Sequence, residues 1–300
     1  MNRLTTALGR LRLASPVCVG SGTFGREYFD LFPQDVLGMY VSKTITLEPR
    51  AGNPPPRLYE TEAGLLNAIG LQNPGLEIFA AQDLPALREH LRIPLCVSFS
   101  GGSQDEFRRI LERLELEDGI AAYEVNVSCP NVEREGLAFG ADPEVVYSLT
   151  ARLAGLTRRE LIVKLSPNVT DIAAIAQAAE AGGASSISLI NTLYGMAIDW
   201  RTGRSRISRP ICGYSGTGIK PVALALVYKA AQAVSIPVLA MGGIHTWQDA
   251  LEFFYAGASA VAVGTAFYSD PLAAVRIHAG LHDFLQERDL SLSDIIGTLS

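Results

Sequence analysis

The apolar positions of the chain form short, nearly continuous runs, separated by longer stretches with helical spacing. The runs that predict strands are residues 16–22, 39–44, 94–100, 121–127, 161–165, 186–190, 237–241 and 260–263. Strands that are apolar on both sides are typical of a parallel sheet whose two faces are both covered. The stretches that predict helices are residues 104–115, 142–154, 172–181, 221–233, 247–255 and 272–287. This alternation predicts repeated βα units with right-handed crossovers.

Eight strands favour a closed barrel over an open, doubly wound sheet. The segment from Gly20 to Gly25 does have the GxGxxG spacing of a dinucleotide-binding turn, but no helix-forming run with an acidic residue after a second strand accompanies it. The 300 residues, 48% of them hydrophobic, fit one barrel of about 250 residues with insertions. We therefore predict an α/β fold, a (β/α)8 TIM barrel forming a single domain over residues 1–300, with insertions at the C-terminal face of its strands.

Three connections are too long for simple βα loops, and each follows the C-terminal end of a strand. Residues 46–73 are rich in Pro and Gly and predict a small hairpin. Residues 130–141 contain Gly136 and Gly140 and suit a movable lid. Residues 193–218 carry Trp200 and several arginines. Because barrel enzymes build their active sites at this face, we expect the functional residues here.

Charge and cysteine spacing exclude several classes of protein. The formal net charge is −6, without the clustered Lys and Arg of a nucleic-acid surface. No apolar run reaches the ~20 residues of a membrane span, and the first 15 residues lack the apolar core of a secretory signal, so we expect a cytoplasmic protein. Cys18, Cys96, Cys129 and Cys212 include no CxxC pair, so we expect free thiols and no metal site. We expect Cys18 and Cys96 in the core and Cys212 in a loop.

Glycines end the last two predicted strands. Gly242 and Gly243 follow the seventh, Gly264 and Thr265 follow the eighth, and Gly216 precedes a predicted helix. Glycines let backbone N–H groups approach a phosphate, and the loops after strands 7 and 8 are the usual phosphate site of these barrels. Ordinary turn glycines are the alternative. The phosphate would belong to a substrate or to flavin mononucleotide (FMN).

Two lysines lie near the ends of apolar strands, Lys43 in the second and Lys164 in the fifth. Lysine is rarely buried without a partner, so either the amines reach solvent or they face negative charge at the barrel mouth. A reduced flavin or an acidic substrate would supply that charge.

Amide side chains gather at the same strand ends and loops: Asn67, Asn126, Asn131 and Asn191, the last followed by Thr192. A single asparagine in a turn is unremarkable. Several converging amides would match the alternating C=O and N–H edge of a pyrimidine-like ring.

A thiol follows the fourth strand. Cys129 stands between Ser128 and Pro130, immediately before the expected lid. Because free cysteine titrates near ~8.5 and neighbours can lower that value, Cys129 is a candidate acid/base group. Ser128 is a weaker alternative.

These motifs resemble those of class 1 dihydroorotate dehydrogenases. The resemblance rests on residues 67–75, 126–131, 163–168, 190–192 and 241–243, which occur in family order between about Leu11 and Asp270. Residues 70–75 are more similar to the B type than to the A type. The family fold is an FMN-binding (β/α)8 barrel.

The resemblance also implies roles for individual residues. It makes Cys129 the catalytic base and Lys43 a second catalytic residue. The FMN site it implies consists of Ser21, Lys43, Thr44, Ser98, Asn126, Lys164, Ile190, Gly216, Gly242, Gly243, Gly264 and Thr265. The orotate or dihydroorotate site it implies consists of Lys43, Asn67, Ala68, Ile69, Gly70, Leu71, Asn126, Asn131, Asn191 and Thr192.

The chain departs from the family at two places. Ser98 stands where members often carry an asparagine near the flavin, so that contact is expected to be lost or to run through water. The turn around Gly25 is shorter than the family's usual glycine-containing version.

The function that the resemblance implies is oxidation of dihydroorotate to orotate in pyrimidine biosynthesis, with hydride transfer to FMN. B-type members work with a second subunit that carries FAD and a [2Fe–2S] cluster and uses NAD+, and a homodimeric core is expected. Three alternatives stay open: an A-type enzyme that reduces fumarate, a related dihydropyrimidine dehydrogenase, and a non-enzymatic barrel that binds flavin or phosphate.

Overall fold

The computed structural model describes residues 2–128 and 139–300. Its centre is an eight-stranded parallel sheet, and all eight predicted strands are present. We number them β1 to β8 in chain order: Val17–Val19, Tyr40–Val41, Leu95–Phe99, Ala122–Asn126, Glu160–Lys164, Ser186–Leu189, Val238–Met241 and Ala260–Val263. Neighbouring strands pair in sequence from β2 to β8, and β8 pairs with β1. A parallel bridge between Cys18 and Met39 joins β1 to β2, which closes the barrel. The (β/α)8 prediction is confirmed, and the open dinucleotide-binding sheet is excluded.

Helices surround the barrel. They are α1 to α8 in chain order: Leu84–His90, Gln104–Glu115, Pro143–Ala154, Ile172–Ala181, Lys220–Ala233, Trp247–Tyr255, Ala266–Ser269 and Ala273–Glu287. A short helix, Leu76–Ile78, and a π-helical segment, Phe79–Asp83, lead into α1. Side-chain caps begin several helices; Asp171, for example, accepts from the backbone of Ala173 and Ala174 at the start of α4. All six predicted helices are present.

The connection from β1 to β2 has no α-helix. It contains two short 3-10 helices, Arg26–Tyr28 and Gln34–Val36, and the remaining 3-10 helices are Thr217–Ile219 and Leu292–Asp294. Phe24 and Phe29 are buried in this connection and pack beside Tyr40 and Phe267. A cluster of aromatic rings therefore covers the barrel where a helix would otherwise lie.

A second sheet lies outside the barrel and joins two of the long connections. The connection after β2 forms a hairpin of Leu58–Thr61 and Gly64–Asn67, as predicted for residues 46–73. The connection after β6 contributes Leu193–Gly195 and Cys212–Ser215, and Gly213 pairs with Asn67 across the boundary. The same connection carries a small ladder between Ile198–Asp199 and Arg204–Ser205. The two insertions therefore form one antiparallel sheet.

Three of the four cysteines are among the described residues, and they lie in the barrel and in this second sheet. Cys18 and Cys96 are fully buried in β1 and β3, as predicted, and burial raises the pKa of the Cys18 thiol to about 12. The prediction that Cys212 lies in a loop is wrong. Cys212 begins a strand, and its buried thiol donates to the carbonyl oxygen of Gly195. The composition of residues 193–218 contained no signal for this strand, because one of its two partner strands, Gly64–Asn67, comes from a distant part of the chain.

An N-terminal hairpin, Thr6–Leu8 with Leu11–Leu13, packs at the opposite end of the barrel. Its turn residue Gly9, at a φ of 58°, lies against the carboxylate of Glu160, which Arg10 also contacts. Any Cβ at Gly9 would overlap that carboxylate. This end of the barrel is therefore structural, and the chemistry-bearing residues lie at the other end.

Candidate active site

Two lysines stand at the C-terminal mouth of the barrel. Lys164 is buried at the end of β5, where its Nζ donates to Ser21 Oγ at 3.2 Å and lies 3.4 Å from Glu124 Oε1. Lys43 follows β2 and packs its ammonium group against Gly22. Gly22, at a φ of 78°, leaves room that any side chain would remove. This placement agrees with the expectation that both lysines lie at the barrel mouth.

The electrostatics of the mouth are unfavourable for a second cation. Burial lowers the pKa of Lys43 below its ordinary value, and the positive charge of Lys164 lowers it further. An anion bound at this position would relieve both effects, because it would replace lost hydration and screen the two like charges. Lys164 already pairs with Glu124, and Lys43 has no salt-bridge partner among the described residues, so Lys43 is the lysine that could receive a bound anion.

Amides from three elements meet beside the lysines. Asn126, the last residue of β4, accepts from the Ser128 backbone at 3.1 Å and lies 3.5 Å from Asn191 Nδ2. The Asn191 side chain in turn accepts from the Thr192 backbone at 2.8 Å. Asn67 and Thr192 both contact Gly213, where a Cβ would overlap the threonine hydroxyl. The structure thus brings Asn67, Asn126, Asn191 and Thr192 into one group.

A tight turn at residues 68–71 forms the side of the site. Gly70 and Leu71 both have positive φ, 75° and 53°. Asn53 fixes the turn by donating its side chain to the Ala68 carbonyl and its backbone N–H to the Ile69 carbonyl, both at 3.0 Å. The backbone N–H groups of Gly70 and Leu71 find no acceptor among the described residues. Two backbone donors of this fixed turn are therefore free to bind a carboxylate.

Free backbone donors also occur at the ends of β7 and β8. Gly243 and Gly264 donate to no acceptor within residues 2–128 and 139–300. Gly243 has a φ of 77°, and the Cβ position of Gly264 is open, with Thr23 at 3.9 Å as its nearest neighbour. This arrangement fits the phosphate of FMN, with Thr265 beside it.

Three predicted cofactor residues, Gly216, Gly242 and Ile190, have packing roles that the sequence did not indicate. Gly216, at a φ of 105°, lies where the two insertions cross, and a Cβ there would overlap Gly64. Gly242 faces Ala223 and the buried side chain of Ile190 in the same way. Close packing alone therefore requires glycine at both positions, whether or not they also approach a phosphate.

Ser98 is fully buried in β3. Its hydroxyl donates to Glu124 Oε1 at 3.0 Å and lies 2.9 Å from Thr44 Oγ1. This hydrogen bond gives a physical reason to expect that the family's asparagine contact near the flavin is lost or runs through water. The serine side chain is shorter and turns inward to a carboxylate.

The candidate base Cys129 lies outside the described residues, as do Asn131 and most of the expected lid at 130–141. Ser128, the weaker candidate, donates its hydroxyl to the Lys164 carbonyl oxygen at 3.2 Å, so its proton is already engaged.

The sequence reasoning missed four residues that organise the site. Glu124 and Ser188 are buried beside Lys164, and Ser188 donates to Glu124 at 3.1 Å. Asn73 holds the turn at Leu71, and Asn168 donates to Thr192 at 3.1 Å while accepting from the Tyr194 backbone. A charged residue inside an apolar strand was the available signal for Glu124. Asn73 and Asn168 lay within quoted motifs but received no role.

Within residues 2–128 and 139–300, no group of three or more His, Cys, Asp or Glu side chains is placed to hold a metal ion. In the same residues, no helix is long and apolar enough to cross a bilayer.

The fold and this group of side chains define a class of protein: a (β/α)8-barrel oxidoreductase with two cations and several amides at the mouth. Comparison with known proteins gives the family. The dihydroorotate dehydrogenase family matches residues 3–285. The chain belongs to the dihydroorotate dehydrogenase family.

Curated relatives agree along the full length. A protein of Thermoanaerobacter pseudethanolicus is 44% identical over 299 residues, covering 99% of this chain and 98% of its own. One of Trichlorobacter lovleyi is 46% identical with the same coverage, and one of Geobacillus kaustophilus is 46% identical over 300 residues, covering 99% and 96%. All three are named dihydroorotate dehydrogenase B (NAD(+)), catalytic subunit.

Proposed function

We propose that this chain oxidises dihydroorotate to orotate in pyrimidine biosynthesis, with FMN as its bound cofactor. The observation that carries the proposal is that Lys43 and Lys164 contact two adjacent residues, Gly22 and Ser21, at a mouth lined by asparagine amides. A planar, acidic pyrimidine matches both features, because it offers a carboxylate to the cations and alternating donors and acceptors to the amides.

Substrate binding would use the two free donors of the turn and the amides opposite. The N–H groups of Gly70 and Leu71 would hold the carboxylate, with Ala68 and Ile69 shaping the turn. Asn67, Asn126, Asn191 and Thr192 would hold the ring edge, and Asn131 is proposed as a further contact. Lys43, beside them, would balance the charge that develops during the reaction.

The residues present also fit FMN. Gly243, Gly264 and Thr265 would hold the phosphate, and Ser21, Thr44 and Lys164 would face the ring system. Bound FMN would supply the acceptor for the hydride that leaves C6 of dihydroorotate. Cys129, as a thiolate, would remove the proton from C5, so that the C5–C6 bond becomes a double bond and orotate is formed. A lid at residues 130–141 would exclude water.

We also propose that the electrons pass to NAD+ through a separate subunit carrying FAD and a [2Fe–2S] cluster. The names of the relatives support this proposal, since they specify NAD(+) and a catalytic subunit. No pair among the four cysteines has the CxxC spacing of a cluster site, so another chain would have to supply the cluster.

Three further expectations accompany this proposal: a single domain, a cytoplasmic location and a homodimer. The buried core that spans the barrel and its helices supports one domain over residues 1–300. The reduced thiols of Cys18, Cys96 and Cys212 fit a reducing, cytoplasmic compartment. The exposed apolar side chains of the β6 insertion, among them Tyr194, Ile198 and Trp200, support a homodimer.

The experiment that tests the proposal is anaerobic mixing of the purified protein with dihydroorotate while the flavin absorbance is followed. Rapid bleaching, reversed by orotate, is expected. A yellow protein that bleaches with dihydrouracil instead would identify a related dihydropyrimidine dehydrogenase. A protein that binds FMN but is bleached by neither would contradict the enzymatic proposal.

The electron acceptor needs its own test. Co-purification with the proposed partner subunit should give an iron-containing complex that reduces NAD+, and the isolated chain should not reduce it. Fumarate-dependent turnover by the isolated chain would contradict the B-type proposal and support the A type.

A further inference from the structure

A carboxylate is buried inside the barrel, beneath the lysines of the mouth. Glu124, in β4, is 1% exposed. Its Oε1 accepts from Ser98 and lies 3.4 Å from Lys164 Nζ, while its Oε2 accepts from Ser188 at 3.1 Å. Burial of a charge is costly unless the charge is paired and hydrogen-bonded, and here both oxygens have partners. The interior of such barrels is usually filled by branched apolar residues, so this position carries a specific requirement.

The carboxylate completes a closed ring of side chains from five successive strands or strand ends. Ser98 Oγ lies 2.9 Å from Thr44 Oγ1, which lies 3.4 Å from Ser21 Oγ. Ser21 accepts from Lys164 at 3.2 Å, and Lys164 returns to Glu124. The ring is Ser21, Thr44, Ser98, Glu124 and Lys164. Glu124 is its only member for which the family resemblance implied no role, and it carries the ring's negative charge.

The negative charge of Glu124 also matters for the two lysines of the mouth. Lys43 stands close enough for the charge of Lys164 to lower its pKa. Without the carboxylate, Lys164 would be a buried ammonium group with hydroxyl partners alone and a second cation nearby. Such a group gives up its proton or leaves its place.

We propose that Glu124 is a positioning residue for the cofactor: through this ring it keeps the charged Lys164 head group at the barrel mouth and thereby sets the reduction potential of bound FMN. The inference rests on the proposed FMN site. A fixed cation beside the flavin ring stabilises the negative charge that reduction adds there. Glu124 does so without touching the reactants, because Lys164 stands between it and the mouth.

The test compares Glu124→Gln with Ser188→Ala in the FMN-loaded protein. Glutamine keeps the size of the side chain and removes its charge. Ser188→Ala removes one hydrogen bond to the same carboxylate and keeps the charge. The measurements are the midpoint potential of FMN against a reference dye, its visible spectrum, and its Kd from fluorescence titration of apoprotein.

We expect Glu124→Gln to weaken binding of reduced FMN about tenfold more than binding of oxidised FMN, which lowers the midpoint potential by about 30 mV for a two-electron couple. Ser188→Ala should stay close to the wild type. If Glu124→Gln does not fold, Glu124→Asp serves, because it keeps the charge but withdraws it from Lys164, and a smaller fall in potential is expected. A potential that is unchanged or raised in whichever variant folds would overturn the inference.

The potential does not depend on dihydroorotate, so the two proposals can fail separately. A protein that binds FMN and shows the expected fall, but is not reduced by dihydroorotate, would support the inference and overturn the proposed substrate. A protein that binds no FMN would overturn both.

Discussion

The side chain of Asn73 donates to the carbonyl oxygen of Leu71 at 2.7 Å, and so holds a leucine whose φ is 53°. Asn73 also donates to Thr46 Oγ1 and accepts from the backbone N–H groups of Thr46 and Gly75. Four hydrogen bonds from one buried amide thus join both ends of the first insertion. A left-handed leucine is unfavourable by itself, so this network keeps the turn in the shape that presents its free N–H groups.

Asn73→Ala should therefore weaken substrate binding more than chemistry. Loss of the amide leaves buried backbone groups without partners, which should cost about 2–3 kcal/mol of unfolding free energy. We expect KM for dihydroorotate to rise roughly tenfold, equal to about 1.4 kcal/mol, with a smaller change in kcat. Denaturant unfolding and steady-state kinetics measure the two effects.

The matched control for this change is Gln72→Ala. Gln72 belongs to the same turn, but its side chain accepts from Arg57 instead of holding Leu71. Gln72→Ala should therefore leave KM for dihydroorotate near the wild-type value. An equal rise in KM for both variants would show that the turn is sensitive to any change and that Asn73 has no special role.

Lys43→Met should make the apoprotein more stable and the enzyme inactive. Methionine keeps an unbranched apolar stem beside Gly22 and removes a charge that burial and Lys164 both disfavour. We expect the melting temperature of the apoprotein to rise by a few degrees, while reduction by dihydroorotate falls by orders of magnitude. A lower melting temperature for Lys43→Met would contradict the interpretation that the charge of Lys43 destabilises the folded apoprotein and is kept because function requires it.

The difference in stability between Lys43→Met and the wild type should depend on pH, and the lowered pKa of Lys43 fixes the sign of that dependence. The unfolded chain keeps its proton on Lys43 up to about pH 10.4, whereas the folded chain releases it at a lower pH. Between those two values the unfolded state binds more protons, so wild-type stability gains from rising pH there. Lys43→Met has no such group. Its stability advantage should be full near neutral pH and shrink towards pH 10, as thermal unfolding across this range would show.

The sequence predicted the barrel well, because the strands lie in nearly continuous apolar runs and the α-helices of the later βα units show helical spacing. Ala260–Val263 and Gln104–Glu115 coincide with their predicted bounds. The connection from β1 to β2 differs, since the aromatic residues Phe24 and Phe29 cover the barrel there without an α-helix. Local periodicity contains no signal for packing of that kind.

The position of several candidate residues at the barrel mouth was predictable from the sequence, but the residues that support them were not. Lysines and asparagines at strand ends pointed to the mouth because parallel strands all end at one face. The role of Glu124 depends on Ser98, Lys164 and Ser188, which come from three other strands. Cys212 depends on a strand partner in the same insertion, Leu193–Gly195, which was read as loop. Such relationships appear only once the chain is folded.

Trp200→Glu should reduce self-association. Trp200 is 77% exposed on the β6 insertion, and Tyr194, Met196 and Ile198 are exposed at alternate positions before it. A charge in such an apolar row opposes burial in an interface. The proposed homodimer should therefore dissociate at micromolar concentration in light scattering. Leu116→Glu, on the exposed end of α2, is the control and should not change the mass. A wild-type monomer would contradict the dimer proposal itself.

Cys129→Ala should separate proton removal from cofactor binding. If the thiolate takes the C5 proton, the variant should stay yellow, and its reduction by dihydroorotate should slow by about 10²- to 10⁴-fold. The wild-type rate should rise with pH as the thiol ionises, and the residual rate of the variant should lose that dependence. Cys212→Ala removes a thiol that is buried in the second sheet, and should leave both the rate and its pH profile unchanged. Near-normal reduction by Cys129→Ala, with the wild-type pH profile kept, would assign the base to another group. Ser128→Ala would then be the next variant to measure, because Ser128 is adjacent to Cys129 and is the weaker candidate base.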